Sequence, residues 1–189
     1  LVRSSPCWRK VVIMKIAFVG PDRTGKSNIA EALSKELLIP VFKNSGEWRT
    51  ELDATDYFLN LLRFGGPFLM DFMDQTNSSV ILDRFYPCEL VYAKAFGRET
   101  DEKVVQWMDE NFAKSGGKLI FCLRKSYAGL VDDVYPDDLP PSKLEEISSL
   151  YLDFQKQTAC DSLVIYTDGE NLEDQLGQIF DFLKEGERV

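Results

Sequence analysis

Gly20-Pro21-Asp22-Arg23-Thr24-Gly25-Lys26-Ser27 decides the reading of this chain. Its Gly-x4-Gly-Lys-Ser frame lets successive backbone N–H groups wrap a chain of phosphates. Lys26 reaches the outer phosphates, and the Ser27 hydroxyl suits a magnesium ion. The flanks supply the context that such a frame needs. Ahead of it, Lys15-Ile16-Ala17-Phe18-Val19 is a short apolar run that predicts a buried strand. Behind it, Asn28 to Leu38 places Ile29, Ala32, Leu33 and Leu37 on one helical face. Strand, glycine loop and helix aim a helix N-terminus at an anion. The stretch implies a site for a nucleoside triphosphate, ATP with Mg2+, along residues 20–27.

Outward from the loop, apolar strands alternate with helical segments. That predicts an α/β protein of the P-loop NTPase fold, a five-stranded parallel sheet with helices on both faces and a lid. Val41-Phe42 reads as a second strand and Ser79 to Leu82 as a third, ending at Asp83-Arg84. Leu119 to Leu123 and Ser162 to Tyr166 complete the set. Helices are predicted over Asp53 to Phe64, interrupted by Gly65-Gly66-Pro67, and then onward to about Gln75. Further helices are predicted over Pro87 to Phe96, over Thr100 to Lys114 with Thr100 as N-cap, and over Asn171 to Lys184. Another begins at Ser142-Lys143-Leu144-Glu145, read as a capping box. Ligands bind such sheets beyond the carboxyl ends of the strands, so residues 20–27 and Asp83-Arg84 are expected to face one crevice. Residues 124–142, with Pro140-Pro141 and the acidic pairs Asp132-Asp133 and Asp137-Asp138, form the longest irregular stretch and read as the lid.

A length of 189 residues suits one domain, expected to run from residue 14 to residue 189. Residues 1–13 carry Arg3, Arg9 and Lys10 without an acid and read as a leader or an expression remnant. Setting those three cations aside takes the net charge from −9 to −12, which argues against extensive nucleic-acid binding. No apolar run approaches the length of a membrane span. Cys7, Cys88, Cys122 and Cys160 lie far apart and the chain has no histidine, which excludes a zinc-site pattern. Cys122 falls inside an apolar strand and reads as a reduced core thiol. Together these features suit a reducing cytoplasm, or a host's cytoplasm for a phage-encoded protein.

Phosphoryl transfer needs positive charge around the moving group and little covalent help from the protein. Asp83 closes an apolar strand, where it can orient magnesium through water or pair with Arg84. Arg84 suits an acceptor phosphate, because a guanidinium grips phosphate with two donors. Arg23 places a further cation within the cradle itself.

Gly-x-Asp-Arg-x-Gly-Lys-Ser, followed by Asp-Arg-aromatic after the third strand, resembles thymidylate kinase over roughly residues 14–185. The likeness is greatest to the class with arginine in the phosphate loop rather than in the lid, and Ser126 to Ser142 indeed hold no arginine or lysine. The resemblance implies transfer of the γ-phosphate of ATP to thymidylate or a related deoxypyrimidine monophosphate, with Arg23, Lys26 and Asp22 as the catalytic group. It implies that Asp22 bonds the deoxyribose 3′-hydroxyl and that Arg84 holds the 5′-phosphate. It assigns base reading to Arg63 and a phosphate contact to Arg49. Family members stack the base about one turn ahead of Arg63, where this chain has Leu59, leaving Phe58 or Phe64 for that part. Tyr92 lies within reach of the acceptor on the same resemblance, with packing as its other role. The family is commonly dimeric, and the apolar faces of residues 53–75 and 86–96 permit a homodimer.

Two other readings stand beside this one. Some thymidylate-kinase-like bacteriophage proteins phosphorylate the hydroxymethyl group of 5-hydroxymethyluracil within DNA, which would make modified DNA the partner. A nucleotide-binding switch is the third class, but the guanine-reading tetrapeptide Asn-Lys-x-Asp occurs nowhere in the chain.

Overall fold

Along the first strand Ile16 and Phe18 point to one side and Ala17 and Val19 to the other, and this alternation divides the core in two. The computed structural model describes residues 13–43, 54–130, 139–169 and 171–185. Its strands are β1 (Lys15–Val19), β2 (Val41–Lys43), β3 (Val80–Asp83), β4 (Gly117–Leu123) and β5 (Asp161–Tyr166). They form one parallel sheet in the order β2-β3-β1-β4-β5. Nearly every residue of β1, β3 and β4 is buried, as strands covered on both faces require.

The helices are α1 (Lys26–Leu37), α2 (Ala54–Asn60), α3 (Gly66–Thr76), α4 (Tyr86–Phe96), α5 (Glu102–Lys114), α6 (Pro141–Gln155) and α7 (Leu172–Glu185). From β1 the chain crosses toward the β2 edge, whereas every later crossover runs the opposite way across the sheet. Right-handed crossovers in opposite directions demand opposite faces. Ile29 and Leu33 of α1 accordingly join Ile179 and Leu183 of α7 over Ile16, Phe18, Ile120 and Cys122. On the other face Met73, Val91, Val105, Met108, Ile147 and Tyr151 cover Ala17, Val19, Leu82 and Phe121. The described cysteines Cys88, Cys122 and Cys160 are buried free thiols. Among the described residues no helix is long and apolar enough to cross a membrane.

Three local expectations are corrected. Gly65-Gly66-Pro67 does not interrupt the helix. Both glycines keep helical dihedrals, and a π-helical turn over Leu61–Gly65 joins α2 to α3 through a bond from the Gly66 N–H to the Leu61 carbonyl. The wider turn accommodates Pro67 at the start of α3, where its missing N–H costs least. Gly66 is small because a Cβ there would collide with the Met108 side chain on α5. The N-cap of α5 is Asp101 rather than Thr100, since its carboxylate accepts the Val104 N–H at 3.3 Å and adds charge where the helix dipole favours it. The helix predicted from a Ser142 box starts at Pro141 instead, with Pro140 as its cap and no side-chain bond.

Asp109 fixes the packing of three elements. Buried on α5, it accepts from Tyr86 Oη of α4 at 2.7 Å, from Thr158 Oγ1 at 2.6 Å and from the Ala159 N–H at 2.7 Å. Asp109→Ala leaves those donors without their acceptor, and a loss of about 3 kcal/mol is expected. Urea unfolding measures it, and a loss well under 1 kcal/mol would show that the donors find other partners.

Candidate active site

The loop after β1 passes so close to β4 that only glycine fits at its first position. Gly20 has φ +144°, and a Cβ there would overlap the Cys122 carbonyl oxygen. Arg23 and Gly25 also adopt positive φ, of 63° and 72°, and the chain then enters α1 with Gly25 as its N-cap. No side chain caps that helix end, so its first-turn N–H groups face the loop. Thr24 is buried and its hydroxyl donates to the Pro21 carbonyl at 3.0 Å, which braces the loop from within. The Lys26 ammonium lies inside the loop, donating to the Pro21 carbonyl and, at 3.1 Å, to Thr24 Oγ1.

Burial and the nearby Arg84 charge push the Lys26 ammonium down to about 8, with Asp22 opposing. Ser27 Oγ donates to Asp83 Oδ2 at 2.6 Å, which sets two hard oxygen ligands side by side at the C-terminal end of β3. Among the described residues no group of three or more acidic, cysteine or histidine side chains forms a self-sufficient metal site. A hydroxyl and one carboxylate nevertheless fit magnesium, which binds through few protein oxygens and completes its shell with water and phosphate.

Arg84 also adopts a positive φ, 73°, as the chain leaves β3, and its N–H bonds the Phe18 carbonyl at 3.0 Å. Its guanidinium pairs with Asp22 Oδ1. Tyr92 Oη on α4 donates to Asp22 Oδ2 at 2.7 Å and accepts the Asp22 N–H at 3.1 Å. Burial alone would raise the Asp22 carboxyl, but Arg84, Lys26 and the Tyr92 bond hold it below its ordinary value. Burial pushes the Tyr92 phenol well up, so it stays a donor.

Asp22, Arg84 and Tyr92 line a cavity of about 250 Å³ together with Phe58, Leu61 and Met108. Glu89 and Arg98 line it too, joined by two parallel bonds of 3.2 and 3.3 Å. Burial raises the Glu89 carboxyl, and Arg98 opposes that rise.

The structure therefore gathers Asp22, Lys26, Ser27, Asp83 and Arg84 at the C-terminal ends of β1 and β3 and brings Phe58 to the cavity that Asp22 and Arg84 line. Arg23 Nη1 donates to the Leu139 carbonyl at 3.2 Å, at the far end of the expected lid. Arg63 is not among the cavity's lining residues, and its Nε donates to Asp101 at 2.9 Å. Phe64 is 71% exposed, whereas Leu59 is buried. Arg49 and residues 131–138 of the expected lid lie outside the described residues. Glu89 and Arg98 were not singled out from the sequence. The available signal was an acid at position 89 in the otherwise apolar run Tyr86 to Ala93, three residues before Tyr92 and so on the same helical face.

No protein-family model and no curated protein matches the sequence. Solved structures do match the fold. The YorR protein of Bacillus subtilis, solved with phosphorylated GDP, aligns over 93% of this chain and 99% of its own at 20% identity and a TM-score of 0.63. Thymidylate kinase from Ehrlichia chaffeensis aligns over 90% and 98% at 14% identity and a TM-score of 0.59. Deoxyadenosine kinase from M. mycoides with bound dATP aligns over 90% and 100% at 18% identity and a TM-score of 0.56. The fold is thus the parallel α/β fold of these P-loop kinases.

A phosphate chain entering the loop restores the charged form of Lys26. Tripolyphosphate binding is therefore expected to take up a proton above the Lys26 value of about 8 and almost none below it. Affinity should fall by up to about tenfold per pH unit above that point. Calorimetry in buffers of different ionisation enthalpy reads the proton directly. No uptake on either side would show Lys26 charged throughout.

Proposed function

We propose that the protein is an ATP-dependent kinase that phosphorylates thymidylate or a related deoxypyrimidine monophosphate in the cytoplasm. One observation carries this reading: Asp22 belongs to the phosphate loop, yet its carboxylate stands in the neighbouring cavity, bonded to Arg84 and Tyr92. A loop that only bound a nucleotide would not need a residue shared with a second pocket. The likeness to nucleotide kinases supports the same class of reaction.

In this mechanism the loop N–H groups, the N-terminus of α1 and Lys26 hold the donor phosphates. Ser27 and Asp83 would hold magnesium, which would supply charge neutralisation on the outer phosphates. Arg84 grips the acceptor phosphate and brings its oxygen, already a nucleophile, in line with the donor. No general base is then required, because the attacking oxygen carries no proton to remove. Asp22, held ionised, accepts from the 3′-hydroxyl of the sugar while Tyr92 keeps its carboxylate in place. Arg23 supplies the cation that stabilises charge on the transferring group. Phe58 is an aromatic lining residue available to the base. Arg49 remains the expected further contact to phosphate, and Arg63, bonded to Asp101 outside the lining, would have to leave that carboxylate to reach the base.

A screen of magnesium-ATP against dTMP, dUMP, their 5-substituted relatives and DNA containing 5-hydroxymethyluracil tests the reading. ADP release with a free monophosphate is expected; phosphate transfer to the DNA alone would move the acceptor into a polymer. Arg23→Ala should lower turnover about a thousandfold or more while the protein stays folded. Near-normal turnover in that variant would place the catalytic cation elsewhere.

We propose further that the protein works as a homodimer. Phe64, Phe68 and Phe72 recur every four residues along the π-turn and α3, at 71%, 72% and 53% exposure. Three exposed phenylalanines in one stripe form an apolar surface that a second copy would cover. Phe68→Glu is expected to convert the dimer to a monomer in sedimentation equilibrium. A wild-type protein that sediments as a monomer at high concentration would rule the dimer out.

A further inference from the structure

Glu89 and Arg98 stand on the cavity wall, yet the phosphate chemistry gives them no task. Arg98 joins Glu89 to α2, where its Cζ lies 5.0 Å from the centre of the Phe58 ring. Arg84 and Tyr92 instead join the cavity to the phosphate loop. Phe58, Arg98 and Glu89 are thus lining groups that the phosphate loop does not engage, left to meet the rest of an acceptor whose phosphate Arg84 holds.

The ion pair itself contributes little to stability, because removing two charges from water offsets most of their attraction. What it offers is an edge. Each Glu89 oxygen takes one Arg98 N–H and keeps a further lone pair, and each Arg98 Nη carries a second N–H beyond the one spent on Glu89. Acceptor and donor thus sit side by side in a cavity whose lining also includes the apolar Leu61, Leu62 and Met108. The partner that satisfies both is a flat heterocycle with an N–H next to a ring carbonyl. A second phosphate would meet the negative charge of Glu89, and a sugar offers hydroxyls rather than a planar edge. At about 250 Å³ the cavity falls at the small end for ligand pockets, roughly 300 Å³ and upward, which favours a pyrimidine over a purine.

We infer that Glu89 and Arg98 read the acceptor base, Glu89 accepting the imide N3–H of a thymine- or uracil-type ring and Arg98 donating to the carbonyl beside it, with Phe58 supporting the guanidinium from behind. This rests on the acceptor cavity proposed above and makes the pair the specificity-determining residues of that cavity.

The test compares dTMP with N3-methyl-dTMP, which lacks the N–H, in the wild type and in the double variant Glu89→Leu/Arg98→Met. An apolar replacement of both partners keeps the packing volume without stranding a charge, so the thermal midpoint should change little. The wild type is expected to show a KM at least about tenfold lower for dTMP than for the methylated nucleotide. In the double variant the ratio should fall to within about twofold, because KM rises for dTMP and changes little for the methylated nucleotide. A wild type indifferent to methylation, or a folded double variant that still discriminates, overturns the inference. If the wild type phosphorylates no deoxypyrimidine monophosphate, the proposed reaction fails on its own, and calorimetry with thymidine and N3-methylthymidine then decides the base-reading question. Thymidine binding abolished by the methyl group upholds it; equal binding, or none, overturns it.

Discussion

The carboxylate of Asp22 is the hinge between two halves of this site. It hangs from the loop that follows β1, but its partners, Arg84 and Tyr92, belong to the end of β3 and to α4. Without Arg84 the carboxylate would lose its ion-pair partner and keep a phenol and the Lys26 charge to offset its own. Without Asp22 the guanidinium and the Lys26 ammonium would stand as two cations in one enclosed space. The charges alternate, and each is tolerated because its neighbour has the opposite sign. Phosphate groups brought to Lys26 and Arg84, as proposed, would enter a field already arranged for them and need little reorganisation.

The sheet makes that juxtaposition unavoidable. β3 pairs directly with β1, and Phe18 lies opposite Asp83 in the register. The loop beginning at Gly20 and the pair Asp83-Arg84 therefore emerge beside each other, and the Arg84 N–H is tied back to the Phe18 carbonyl. Positive φ at Arg23 and at Arg84 is uncommon for residues with a side chain. Such conformations cost on the order of 1–2 kcal/mol each and persist where the surroundings determine them, as at functional sites. Here each turns the chain sharply at an arginine, Arg84 lining the cavity and Arg23 reaching the Leu139 carbonyl.

How much of this could be read from the chain depended on how local its cause was. The phosphate loop, the buried strands and the meeting of residues 20–27 with Asp83-Arg84 follow from short-range patterns and from the rule for parallel sheets. Most of what escaped has non-local causes. Gly65-Gly66-Pro67 carries the composition of a break, but the fold uses Gly66 to admit Met108, which lies far along the chain. Asp101 outcompetes Thr100 as the α5 cap by the one-residue placement of the helix start, which sequence leaves open. Arg63 lies on the expected helix, yet it faces Asp101 at the start of α5. Glu89 and Arg98 stand on either side of the α4 C-terminus, and their pairing across nine positions becomes visible only once that helix ends at Gly97.

Gly20 has one more consequence. Because the loop rests on the carbonyl of Cys122 with no side chain between, its height above the sheet is measured against β4 rather than against β1, from which it springs. β4 thus acts as a gauge block for the cradle. A bulkier residue in the layer beneath it, far from any bound phosphate, would lift the strand and detune the loop without altering a single residue within it.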